Sequence, residues 1–266
     1  MTRTLRQRIA ILATLAATLL LSACGNDGTP PSTPTPETSP TSVASPAPSG
    51  TPTVGDIADR IAAAWANVQS YRSVFTTTAR QAPGTPGASP ATVEVIDEVV
   101  PPDRKRRLSL ADGAVVSEII SIAGRVYARG QEVPGLATPP ADPDTWVRID
   151  PAALDSESPI GRLYAGMAAE AAPPYSALSR EQRMHDAVLI GEVEIEGRTC
   201  QRYRTADTTM TGERIEIVIS LGDDDLPCAI ETIAGGTVSR STFTYNIPLT
   251  IEEPTAATPI ALSPVP

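Results

Sequence analysis

The chain has 266 residues, with 21 Lys and Arg against 31 Asp and Glu, a formal charge of −10. That balance argues against nucleic acid as a partner, because phosphates demand a basic face. Hydrophobic residues make up 41% of the chain, enough for one core of about 200 residues in one domain once the low-complexity ends are set aside.

Residues 1–23 read as a secretory signal. Arg3, Arg6 and Arg8 form a basic head without acids, and residues 9–21 are almost wholly Ala, Leu, Ile and Thr. That run is too short to be a spanning helix. It ends in Leu21-Ser22-Ala23-Cys24-Gly25, which resembles the lipobox of bacterial lipoproteins. The resemblance implies lipidation of Cys24, cleavage before it, and an exported protein anchored to the outer face of the cell membrane. Cleavage would leave a mature charge of (21 − 3) − 31 = −13.

Residues 24–52 carry the lipidated cysteine and a Pro-, Ser- and Thr-rich stretch that cannot bury apolar surface. We expect a disordered tether reaching on the order of 80 Å when extended. The folded domain is expected over 53–254, and 255–266, Pro- and Ala-rich without periodicity, is expected to be a disordered tail.

The domain opens with Thr53-x-x-Asp56, the form of a capping box. Ile57, Ile61, Ala64, Trp65 and Val68 follow at helical spacing and predict a helix over 56–70. The period then changes to two. Strands are predicted over 71–80, 91–100, 106–111, 115–122, 125–129 and 146–149, with Asp112-Gly113 as a hairpin turn. Pro159 opens a second helix with Ile160, Leu163, Tyr164 and Met167 on one face, and residues 176–185 read as a third, short one. Five more strands are predicted over 188–196, 198–205, 213–221, 226–233 and 238–246, then an extended piece over 248–253. Antiparallel runs broken by helices imply an α+β fold with one large sheet. So long a sheet tends to curl, and its apolar concave face must be covered by the helices. Incomplete cover leaves an apolar cavity.

With Cys24 given to lipid, Cys200 and Cys228 remain, and an exported compartment favours pairing them. Alternation places Cys228 on the apolar face and Cys200 with Arg202 and Arg204 on the polar one. A whole strand also lies between them in a simple meander, so a bridge requires a bulge or a different strand order.

The order of elements resembles the LolA/LolB superfamily, and more closely the LppX/LprG-like lipoproteins. The matching pieces are residues 57–71 ending in Val-Gln-Ser-Tyr, the hairpins after them, Trp146-Val147-Arg148-Ile149, Val-Glu-Ile-Glu-Gly-Arg-Thr-Cys-Gln-Arg-Tyr at 193–203, and Tyr-Asn-Ile-Pro-Leu-Thr-Ile at 245–251. The resemblance implies a half-barrel of about 10–11 strands closed by two or three helices around a cavity for acyl chains. Trp65, Val68, Leu163, Tyr164 and Met167 are then cavity-lining candidates. Arg104, Lys105, Arg106 and Arg107 are candidates for contact with anionic headgroups, although alternation lets at most two share a face.

No nucleophile–base set, metal set or cofactor motif is present. His185 sits in a polar stretch, and Asp223-Asp224-Asp225 has the look of a turn. No catalytic residue, metal or cofactor is therefore expected. The chain reads as a monomeric, non-catalytic lipoprotein that binds a lipid or glycolipid, with an envelope interaction or sensory module lacking a cavity as the alternative.

Overall fold

A computed structural model of the chain describes residues 51–79, 92–136, 140–176, 178–208 and 214–260. The signal, Cys24 and nearly all of the tether lie outside the described residues. Among those described, no helix is long and apolar enough to cross a membrane.

Helix α1 (Val54–Trp65) begins where its sequence dictates. Thr53 accepts from the Asp56 N–H at 3.1 Å, and the Asp56 carboxylate accepts from the Thr53 N–H at 2.8 Å. The helix stops five residues earlier than its periodicity predicts. Asn67 and Val68 donate to Ala64 and Trp65, tightening the end into a turn that delivers the chain to the sheet.

The eleven predicted strands all form. They are β1 (Tyr71–Ala79), β2 (Thr92–Val100), β3 (Arg104–Ala111), β4 (Ala114–Ile122), β5 (Arg125–Gly130), β6 (Val147–Ile149), β7 (Val188–Ile195), β8 (Arg198–Thr208), β9 (Arg214–Gly222), β10 (Pro227–Ala234) and β11 (Thr237–Tyr245). Helix α2 (Pro159–Ala168) has Ser158 as its cap and Pro159 in its first turn, and α3 (Arg180–Arg183) is a single turn. A twelfth strand corrects the reading of the C-terminal tail. β12 (Thr258–Ile260) pairs in parallel with β6, held also by the Thr258 N–H on the Trp146 carbonyl at 3.0 Å. Its Pro259 is tolerated because the strand lies at an edge. Residues 248–253, read as extended from sequence, form no strand.

The fold is α+β, one large open, curved sheet with few helices. Its order is β12-β6-β5-β4-β3-β2-β1-β11-β10-β9-β8-β7, antiparallel except at β12. Residues directly opposed across an antiparallel pair share a face, so the register sorts side chains into two faces. Both longer helices lie on one of them. Ile57 and Ile61 of α1 pack with Tyr203, Ile219 and Leu221, and Tyr164 and Met167 of α2 pack with Ile119, Val126, Val147 and Ile149.

The opposite face carries a ladder of alternating charges across five strands. Arg72 pairs with Glu98 at 2.5 Å, Arg106 with Glu98 at 3.4 Å and Glu118 at 2.7 Å, and Arg129 with Glu118 at 2.7 Å. Glu98 and Glu118 are buried, and Arg129 also stacks over Trp146 at 4.8 Å. Beyond the ladder the chain after β11 crosses this face. Arg104 donates to the Ile251 carbonyl at 3.2 Å, and Glu253 accepts from Arg125 and from the Tyr127 hydroxyl.

Cys200 and Cys228 form a disulfide. They stand on β8 and β10 with β9 between, and the resolution is a bulge. Pro227 pairs with Leu221 and Ala229 with Ser220, so Cys228 is an extra residue. The bulge turns it to the face of Cys200, which pairs with Gly222 where β9 ends. Both half-cystines are buried with Ile195 and Ala229.

Three stability measurements check this account. Glu118→Ala removes the partner shared by Arg106 and Arg129, leaving them the longer contacts to Glu98 and Asp144, and is expected to lower unfolding free energy in denaturant by roughly 1–3 kcal/mol. Cys200→Ser with Cys228→Ser opens a loop of 28 residues and is expected to lower it by about 3–4 kcal/mol. Thr53→Ala is expected to cost about 1 kcal/mol. The Thr53 backbone and hydroxyl hold the Asp56 carboxyl below its ordinary value. Its contribution is therefore full above the ordinary aspartate pKa and lost as pH falls through the depressed one, so the wild-type margin over Thr53→Ala should narrow in acid.

Candidate functional site

Between the two helix-covered ends, the same face of the sheet presents the middle strands. Three rows of opposed residues run across β3, β2, β1 and β11. The first is Arg107, Asp97, Ser73 and Phe243. The second is Ser109, Val95, Phe75 and Ser241, and the third is Ala111, Val93, Thr77 and Ser239. Phe75, Val93 and Val95 are half-buried, whereas Ser73, Thr77 and Ser241 are buried. The result is an apolar strip edged by small hydroxyls, with Thr77 and Ser239 bonded to each other at 3.1 Å.

An ion pair bounds the strip. Arg107 Nε and Nη2 grip the two Asp97 oxygens at 2.7 and 2.8 Å, and the side chains keep 13% and 23% of their exposure. Burial pulls the Arg107 pKa down, but the charge and hydrogen bonds of Asp97 outweigh it and leave the guanidinium above its ordinary value. Below the pair lies an aromatic row. Trp65 meets Tyr71 edge-on at 5.1 Å, and Phe243 stacks on Tyr245 at 6.2 Å. Burial, and then the nearby Asp97, raise the Tyr71 phenol well above its ordinary pKa. Two buried hydroxyls on this face, Ser121 Oγ and Thr205 Oγ1, have no hydrogen-bond partner among the described residues.

The cavity-lining candidates divide. Tyr164 is fully buried, with its hydroxyl on the Pro134 carbonyl at 2.8 Å, and Met167 and Leu163 complete the core under α2. Val68 is buried. Trp65 is half-buried and reaches the aromatic row.

The basic cluster splits by strand parity, and each member has a partner inside the chain. Arg104 and Arg106 face the charge ladder. Lys105 donates to the Gly166 carbonyl at 2.8 Å and the Glu170 carbonyl at 3.4 Å, at the C-terminal end of α2 where a cation is favoured. Arg107 grips Asp97. No rim of free cations forms from these four.

Asp223–Asp225 make the β9–β10 turn. Asp224 accepts from Arg198 at 2.6 Å and from the Leu226 N–H, and Asp225 pairs with Arg60 at 2.5 Å. His185 lines a polar cleft of about 360 Å³ with Ser179, Glu181, Gln182 and Asp207. Among the described residues no group of three or more His, Cys, Asp or Glu is placed to hold a metal.

Sequence reasoning passed over Phe75, Val95 and Asp97 as site residues. The signal was an aspartate in the apolar register of Val93, Val95 and Val99, with arginines one hairpin away.

No protein-family model matches the chain, and no curated protein sequence matches it. Solved structures are similar at low identity. LprF from Mycobacterium bovis is 13% identical at a TM-score of 0.48, over 78% of this chain and 100% of that one. The Mycobacterium tuberculosis lipoprotein LppX is 9% identical at 0.40, over 74% and 97%. A chain of the Pseudomonas aeruginosa MucA/MucB complex is 20% identical at 0.39, over 74% of this chain. The match spans only 58% of that Pseudomonas chain.

A double-mutant cycle measures the ion pair. Asp97→Ala leaves Arg107 buried without its partner and is expected to cost about 2–3 kcal/mol in denaturant, most of which Asp97→Ala with Arg107→Leu should recover.

Proposed function

We propose that this chain is an exported lipoprotein, anchored through Cys24, whose domain holds an apolar, lipid-like ligand without catalysis. One observation carries the reading. The strip of Phe75, Val93 and Val95 lies half-buried between sheet ends that the helices cover, on the same face as they do. An acyl chain laid along it gains about 0.8 kcal/mol per buried methylene. That term is blind to headgroup identity, so discrimination falls to the hydroxyls of Ser73, Thr77 and Ser109 and to the Asp97–Arg107 pair. The basic head, apolar run and Leu-Ser-Ala-Cys of the N-terminus support export and anchoring.

A second reading, an envelope interaction or sensory module with a filled interior, is favoured by the packing of Tyr164 and Met167 into a closed core.

Native mass spectrometry of the mature chain, purified gently from its own envelope, separates the two. A carrier yields a co-purifying lipid that is released on denaturation. Val95→Asp should then weaken uptake of a fluorescent fatty acid by about tenfold or more, while Val238→Asp on the opposite face leaves it unchanged. Masses of the bare protein throughout, with no fatty acid taken up, would overturn the carrier in favour of the interaction module. Cys24→Ser should move the protein from the membrane to the soluble fraction and remove the lipid mass.

A further inference from the structure

Seven large hydrophobic residues are exposed among the described residues, and four of them fall between positions 184 and 190. Met184 is 70% exposed, Leu189 53%, Val188 47% and Ile190 39%. The other three, Val115, Ile233 and Val238, sit at hairpins elsewhere. Single exposed apolar side chains need no explanation, but four within seven residues at one sheet edge do, with Val188 opposite Arg204 and Leu189 opposite Tyr203 flanking that edge from the two faces.

Val188, Leu189 and Ile190 open β7 just after Met184; β7 is the last strand of the sheet, and among the described residues no strand pairs with its outer edge. Edges of this kind are usually blunted with charge. Here the second half of the strand carries Glu192 and Glu194, whereas the first half is apolar. A bulge between Leu189 and Gly191 leaves Ile190 unpaired with β8. The flanking charges are mixed, with Arg180 and Arg204 against Glu181 and Asp186.

The N-terminal stretch enters the domain at the same place. The Ala187 N–H donates to the Pro52 carbonyl, and the Val54 N–H to the His185 carbonyl, both at 2.8 Å. Thr53 bridges Asp186 as an isolated antiparallel pair. Gly55 lets α1 close on this segment, since a Cβ there would stand 2.9 Å from the Arg183 carbonyl. The polypeptide that carries Cys24 is therefore stitched to the residues directly before the apolar edge.

We infer that the Met184, Val188, Leu189 and Ile190 edge is a membrane-contact surface that rests on the bilayer holding the anchor. The inference depends on the reading of Cys24 as lipidated. Contact is shallow, at the level of the headgroups. Four apolar side chains gain there by burial, while the unpaired backbone of β7 still reaches water, which it could not in hydrocarbon. The mixed charges require no anionic lipid. The contact sets an orientation that the long N-terminal stretch alone would not fix.

The full lipidated chain, reconstituted in vesicles of phosphatidylethanolamine and phosphatidylglycerol, tests this. A single added cysteine carries the label bimane, in Met184→Cys, in Leu189→Cys or, as reference, in Val115→Cys. Cys200 and Cys228 are bonded to each other and Cys24 is alkylated, so the added thiol reacts alone. A nitroxide lipid quenches from the headgroup level. The expected result is quenching at positions 184 and 189 several-fold stronger than at 115. Equal quenching at all three positions on vesicle-bound protein overturns the contact and leaves the anchor standing. A chain absent from the vesicle fraction overturns both. A label at 184 shielded from iodide without vesicles, at twice the monomer mass, overturns the proposal in favour of a second copy covering the edge.

Discussion

A twelve-stranded sheet has more surface than the described residues have helix to cover it. Helices of 12, 10 and 4 residues are set against the whole width from β12 to β7. Each face meets the shortage differently. The face without helices lays long charged side chains flat along the strands, so that Arg72, Glu98, Arg106, Glu118 and Arg129 shield the sheet with their stems while their charges satisfy one another. A buried carboxylate between two guanidiniums is tolerable because each oxygen finds a donor. The C-terminal segment then straps the apolar remainder, with Ile251 against Ile120 and Ile122. The other face commits both longer helices to its ends, and the middle strands are left with small hydroxyls and a few half-buried apolar groups.

Much of this was legible from alternation. All eleven predicted strands form, as do the Thr53–Asp56 box and the helix opened by Pro159, because each is dictated by residues a few positions apart. What was not legible depends on neighbours distant in sequence. Thr258-Pro259-Ile260 has no strand signature, and it becomes one only because β6 offers an edge. Parity alone puts Cys200 and Cys228 on opposite faces, and a single unpaired residue at position 228 reverses that. Helical spacing identified Tyr164 and Met167 as inward-facing, yet spacing cannot tell a filled interior from a hollow one. Alternation already limits the basic run to two residues per face of β3, but it cannot show that each of the four finds a partner inside the chain.

The start of β7 shows how a connection can matter more than a motif. Nothing in Val188-Leu189-Ile190 distinguishes it from an interior strand until the sheet order makes it an edge. Nothing in Pro52–Val54 marks it as a strut until the Pro52 carbonyl meets the Ala187 N–H and the Val54 N–H meets the His185 carbonyl. Together they give the domain an apolar side, on which the chain arrives.

The Asp97–Arg107 pair poses the sharpest energetic question. Two charges taken largely out of water beside Phe243 and Tyr71 pay a desolvation cost that their mutual attraction at best balances, and a pair of leucines of similar volume would be at least as stable there. Asp97 holds Arg107 protonated and accepts two of its N–H donors, so the pair is a fixed dipole at the boundary of an apolar strip. A face that must admit an acyl chain while stopping its polar end gains from such a dipole, since the strip sets how far apolar contact runs and the pair sets where it stops. Under the carrier reading proposed above, the pair would mark where apolar contact ends, at little net cost or gain to folding.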